Sequence, residues 1–169
     1  QVGKTWALKY FGKVYFEDVA YFSLDKDESG LCDIFKTTKD PRRIIQQLSF
    51  LHGKKINPQT TLLILDEIQE CNEALNALKY FCEEAPEYAV ACAGSLLGIY
   101  LNHIGNSFPV GKVNHLSMYP LTFTEFLKTK DPNMYEYLCF IKEIAPLPQI
   151  FFDKLRESFV YVSAYFYGI

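Results

Sequence analysis

Apolar and polar positions alternate along this chain between two kinds of block. Short apolar runs at Val19-Ala20-Tyr21-Phe22-Ser23-Leu24, Thr61 to Leu65 and Val90 to Ala93 predict buried strands. Helical spacing lies between them. Thr5 to Phe11 predicts a first helix. Asp40-Pro41 opens a second, with Ile44, Ile45, Leu48 and Leu51 on one face and Gly53 as its stop. Lys54 to Thr60, with Asn57-Pro58, predicts a loop. Asn72 is read as the cap of a helix through about Glu84, with Leu75, Leu78 and Phe81 facing the core and Pro86 beyond its end. A short helix near Leu96 to His103 and a Gly105-Asn106 turn come next, then a strand at Val113 to Met118. Pro120 to Lys128 predicts a helix capped near Thr122. Two more run from about Asn133 to Ile144 and from Pro148 to Tyr161. Strands alternating with helices predict an α/β fold, a mainly parallel sheet flanked by helices.

Two motifs give that fold a chemistry. Gln1-Val2-Gly3-Lys4-Thr5 reads as the last five positions of the phosphate-loop pattern G-x-x-x-x-G-K-[ST]. Gly3 lets backbone N–H groups approach phosphate oxygens, and the following helix start adds donors and a favourable dipole. Lys4 would reach the β- and γ-phosphates, and the Thr5 hydroxyl would join a Mg²⁺ shell. About sixty residues on, Leu62-Leu63-Ile64-Leu65 deliver Asp66 and Glu67 at a strand's carboxyl end, where α/β sheets place ligands. Asp66 is expected to hold Mg²⁺ through water, and Glu67 to polarise the attacking water. Ser95, ending the next strand, is read either as a γ-phosphate contact or as a small residue at a turn. Gln69 is read as a solvated helix start, with a place lining the site as the alternative.

Composition narrows the field further. The 169 residues are 49% hydrophobic and 22% charged, ordinary for a globular domain with a real core. A net charge of -3 and only three arginines, Arg42, Arg43 and Arg156, do not support a nucleic-acid footprint on this segment. Cys32, Cys71, Cys82, Cys92 and Cys139 contain no C-x-x-C pair and are expected to be reduced core thiols. His52, His103 and His115 show no ligand spacing. No apolar run approaches a membrane span, and no basic stretch followed by an apolar one is visible at the start as a signal peptide. The aromatic tail Phe159 to Tyr167 has a β-like composition and is expected to be exposed. No N-K-x-D guanine motif is present, so ATP is favoured over GTP.

These motifs, together with Tyr21-Phe22-Ser23-Leu24-Asp25, Leu65-Asp66-Glu67-Ile68-Gln69-Glu70, Ala93-Gly94-Ser95-Leu96-Leu97-Gly98, Ser107-Phe108-Pro109-Val110-Gly111-Lys112-Val113 and Tyr119 to Leu127, resemble a prokaryotic family of P-loop ATPases. That family has an AAA-type ATP-binding domain followed by a C-terminal domain of unknown function. The resemblance covers the chain to about residue 127. It implies a Walker A lysine at Lys4 with Thr5 as Mg²⁺ partner, Walker B Asp66, catalytic Glu67 and a sensor-like Ser95. It also implies a cytoplasmic ATP-binding protein with Mg-dependent hydrolysis, and leaves room for an oligomer or a protein partner. The alternative is a nucleotide-gated interaction module with little turnover.

Residues 1–128 are accordingly expected to form the ATP domain, and 129–169 to begin a helical C-terminal region. The loop's first glycine lies five residues before Gly3, outside the chain, so a truncated piece lacking the first strand is expected. In such folds that strand lies inside the sheet, beside the strand ending at Ser95. Its loss predicts a marginally stable, aggregation-prone piece, which an ordinary cooperative thermal transition would contradict.

Overall fold

The structure, a computed structural model, describes residues 2–25, 30–94, 111–141, 148–150 and 152–157. Two compact units divide the chain, one spanning Gly3–Leu116 and the other lying mainly in the residues from Ser117 onward.

In the first unit, helix α1 (Lys4–Tyr15) precedes strand β1 (Asp18–Ser23), and helices α2 (Leu31–Thr37) and α3 (Pro41–His52) lead to β2 (Thr61–Asp66). A short 3₁₀ turn (Ile68–Glu70), helix α4 (Asn72–Glu84) and strand β3 (Ala89–Cys92) follow. The sheet is parallel in the order β1-β2-β3, with Asp18 opposite Thr61, Ser23 opposite Asp66 and Leu65 opposite Cys92. Each parallel neighbour is reached through a helical crossover, as parallel pairing requires. This is an α/β fold of the kind seen in P-loop nucleotide-binding proteins, as the sequence pattern predicts.

β2 is central and every one of its residues is buried, which is why it reads as a continuous apolar run rather than an alternation. The period of two along a strand sorts its neighbours. Ala20, Phe22, Leu63 and Leu65 pack in a cluster with Phe35 from α2, Ile44 and Leu48 from α3, and Leu75, Leu78 and Phe81 from α4. Val19 and Leu62, of the other parity, meet α1 at Gly12. Tyr21 and Asp66 share that second parity and so stand on the α1 side of the sheet.

α3 shows why its ends were readable. Asp40 accepts a hydrogen bond from the Arg42 backbone N–H at 2.9 Å, Pro41 occupies the first turn, and Gly53 closes the helix in the left-handed region at φ 75°. At α4 the expectation is corrected. Cys71, in extended conformation, holds the N-cap position and accepts the first helical bond from Leu75 N–H, so Asn72 is the first helical residue rather than the cap.

Three other expectations change. Val113 to Met118 is not a strand: it pairs with no strand among the described residues, and Leu116 lies 96% exposed. An alternating apolar pattern forms a strand only where a sheet edge receives it. Helix α2 lies where no element was expected. Cys32 and Cys71, expected as reduced thiols, are buried and joined as a disulfide, with Cα atoms 5.9 Å apart. Cys82 and Cys139 are free and exposed.

The second unit holds helices α5 (Phe123–Lys130) and α6 (Pro132–Phe140). Thr122 caps α5 as expected, in a reciprocal box: its hydroxyl accepts from Glu125 N–H at 3.2 Å, and the Glu125 carboxylate accepts from Thr122 N–H at 2.7 Å. The bond from Thr122 N–H, and a second that the Thr122 hydroxyl donates to the same carboxylate oxygen at 2.8 Å, hold the Glu125 carboxyl below the usual carboxylate range. Asp131 caps α6, and Leu127 and Met134 form this unit's small core with Phe123, Tyr135, Leu138, Ile141 and Leu155. The helix expected near Leu96, the Gly105-Asn106 turn and the aromatic tail lie outside the described residues.

Candidate functional site

Gly3 precedes α1 with φ 85°, a left-handed conformation that glycine adopts without strain. Its carbonyl accepts the first helical bond from Ala7 N–H at 2.9 Å, so the loop turns directly into the helix. Lys4 and Thr5 are the first two helical residues, at the end where backbone N–H groups have no intrahelical partner. The first turn carries no acidic side chain to compete for that end.

β2 brings Asp66 to the same place. Its carboxylate is buried, with the residue 4% exposed, and so must be compensated. The Thr5 hydroxyl donates to Asp66 Oδ2 at 2.7 Å, across 61 residues of sequence. The Tyr21 hydroxyl, from β1, donates to the same oxygen at 2.9 Å. Glu67 N–H donates to Oδ1 at 3.1 Å. The Lys9 ammonium, one turn beyond Thr5 on α1, sits 3.4 Å from the Tyr21 ring centre, within cation–π range. Burial pushes the Tyr21 phenol above its ordinary pKa, and the bond to Asp66 pushes it the same way. The hydroxyl therefore stays protonated and donating at neutral pH.

Glu67 begins the turn after the strand with φ 49° and ψ 45°. Among the described residues it is the one non-glycine residue in the left-handed region, a conformation that costs of order 1 kcal/mol and concentrates at functional sites. Gln69 Nε2 donates to Glu67 Oε2 at 2.6 Å. Gln69 is buried in the 3₁₀ turn, which corrects its reading as a solvated helix start. The end of β3 closes on this turn: Ala93 N–H donates to Leu65 O and Ile68 N–H to Ala93 O, both at 3.0 Å.

Thr5, Asp66 and Glu67 thus gather beside the Gly3-Lys4 loop at the carboxyl end of the sheet, while Ser95 lies outside the described residues. Sequence reasoning missed Tyr21 and Lys9. Tyr21 has the parity of Asp66, but only the strand register brings the two together.

One hydroxyl and one carboxylate are hard oxygen donors, which suit Mg²⁺. Among the described residues no group of three or more His, Cys, Asp or Glu side chains is placed to hold a metal. Mg²⁺ sites of this kind complete their shell with water and substrate phosphates rather than with a protein cage. The donor set therefore fits that ion.

A parallel sheet with a glycine loop, a helix start and a strand-end aspartate converging at its carboxyl end defines the class of P-loop nucleotide-binding domains. The family model of the AAA domain matches residues 1–127, and the chain belongs to that family. No curated protein and no solved structure matches it. Among the described residues no helix is long and apolar enough to cross a membrane.

Proposed function

We propose that this chain binds ATP with Mg²⁺ and hydrolyses it. The observation that carries the reading is the 2.7 Å bond from Thr5 to Asp66, which joins the glycine loop to the Asp66-Glu67 pair across the fold. Gly3 and the first turn of α1 would surround the β-phosphate with N–H donors, and Lys4 would pair with the β- and γ-oxygens. Thr5 and, through water, Asp66 would hold Mg²⁺, which when bound supplies positive charge against the phosphate oxygens. Glu67 would accept a proton from, or orient, the attacking water. Ser95 is assigned to the γ-phosphate side on its motif alone. Residues 1–128 would form the ATP domain and 129–169 the start of a helical C-terminal region. The reading goes with a cytoplasmic location, where ATP and Mg²⁺ are supplied and where the Cys32–Cys71 bridge would face a reducing thiol pool.

A second reading, a nucleotide-gated module with little turnover, is favoured by one contact. Gln69 engages the Glu67 carboxylate, which any hydrolysis would need released or reoriented.

Titration calorimetry with Mg-ATP, on a form of the protein carrying the whole loop, tests the proposal. Saturable binding is expected, falling by at least tenfold in Lys4→Ala. Absent binding in both would overturn it. In Glu67→Gln, ATP affinity is expected to hold while steady-state hydrolysis drops about a hundredfold or more. Unchanged hydrolysis would remove Glu67 from its role. No detectable hydrolysis in the unsubstituted protein, with tight binding, would leave the gated module.

A further inference from the structure

We propose that Tyr21 is a positioning residue for the carboxylate of Asp66, fixing the one acceptor position left for a hydrated Mg²⁺ ion. The inference rests on the ATP reading above and deepens it.

A carboxylate has about four lone-pair positions. Oδ2 of Asp66 receives two donors, the hydroxyls of Thr5 and Tyr21. Oδ1 receives Glu67 N–H. Among the described residues, three positions are filled, by groups on α1, β1 and the chain just past β2, and one remains on Oδ1. A water carried by a metal ion has that single place to bind. The Thr5 hydroxyl gives its only proton to Asp66, which leaves its lone pairs for the metal. Tyr21 therefore restricts both which oxygen faces the metal and how the carboxylate is turned.

Its own placement is over-determined. In the register of β1 and β2, Tyr21 stands opposite Ile64, so Asp66 is its diagonal neighbour two residues along the same face, within reach of an aromatic side chain. Lys9 lies over the ring at 3.4 Å and holds it from the α1 side. Phenylalanine would keep the ring, the strand and the Lys9 contact, and would remove only the hydroxyl, which donates to Asp66 and also meets the Ser23 side chain. Groups that orient a metal's ligands commonly change its affinity by ten- to a hundredfold when lost.

The test compares ATP binding by the unsubstituted protein and Tyr21→Phe, by calorimetry in EDTA and across a Mg²⁺ series, with thermal melts of both alone. The expected result is ATP affinity in EDTA within about twofold of the parent, an apparent Mg²⁺ affinity of the complex weaker by about tenfold, and a preserved cooperative melt. An unchanged Mg²⁺ affinity in Tyr21→Phe would overturn the inference while leaving the ATP reading intact. Equal losses in EDTA and in Mg²⁺, or a variant that no longer melts cooperatively, would make the phenol a support of the fold and overturn it as well. Mg²⁺-independent ATP binding by the unsubstituted protein would overturn this inference together with the metal part of the reading beneath it.

Discussion

Gly12 shows how much one missing methyl group decides. A Cβ at this position would stand 2.5 Å from Val19 Cγ2 and 3.1 Å from Leu62 Cδ2. Alanine would gain about 1 kcal/mol in helix propensity over glycine. Overpacking typically costs about 1–3 kcal/mol, and Val19, β-branched in a strand, has little rotamer freedom with which to yield. The clash wins, so Gly12→Ala is expected to lower stability by about 1–2 kcal/mol, read as a lower urea midpoint. A raised midpoint would show that α1 shifts outward without cost. At this scale the sequence was informative where chemistry is carried by residue type in a fixed order, as in Gly3-Lys4-Thr5 and Asp66-Glu67. It was silent on the roles of Tyr21 and Lys9, and it favoured a solvated helix start for Gln69, which is buried. Their roles come from register, a cross-element contact and a buried turn, none of which a linear pattern encodes.

At the level of elements, ends announced themselves better than existence did. Asp40-Pro41 with Gly53, and Thr122 with Glu125, bracket or open helices with side chains whose physics is local, and the structure has those caps. α2 escaped because seven residues are too few to show a helical period, and the glycine before it, Gly30, sits at φ 66° as its start. That short helix carries Cys32 to Cys71, at the entry of α4, closing a loop with a sequence separation of 39. Intact-mass measurement without reductant should therefore find the chain lighter by two hydrogens than after dithiothreitol. Cross-links of this loop length contribute roughly 2–4 kcal/mol, so the thermal midpoint should fall on reduction. Two alkylatable thiols at these positions in the untreated, unfolded chain would refute the pairing.

Across the whole sheet, the two ends are specialised differently. The carboxyl end gathers the groups assigned to nucleotide. At the amino end the ring N–H of His52, the last residue of α3, donates to Asp18 Oδ2 of β1 at 2.8 Å, with Lys54 3.7 Å from Oδ1. The His52 bond holds the Asp18 carboxyl below its usual range, against the opposing push of burial. A carboxyl lowered on folding contributes stability above its unfolded pKa of about 4, and that contribution disappears as the pH falls through the folded value. Melts taken from pH 6 down to pH 3 should show the midpoint dropping below about pH 4, and Asp18→Asn should flatten part of that drop. An identical acid profile in the variant would place the acid sensitivity elsewhere. The α/β architecture was legible at this scale because β2 is so apolar that only a centrally buried strand accounts for it. The division near Ser117 has no counterpart in composition, since no linker-like stretch marks it.

Thr5 is followed by Trp6, the single tryptophan of the chain. Its indole lies 70% exposed and stacks on Tyr10 with ring centres 5.2 Å apart and planes 6° from parallel. The one indole fluorophore of this protein is thus bonded directly to the residue whose hydroxyl meets Asp66, on the first turn of the helix that leaves the loop. Its emission colour and quenching by dissolved iodide record the state of that turn, with no label attached and no other indole to mask it.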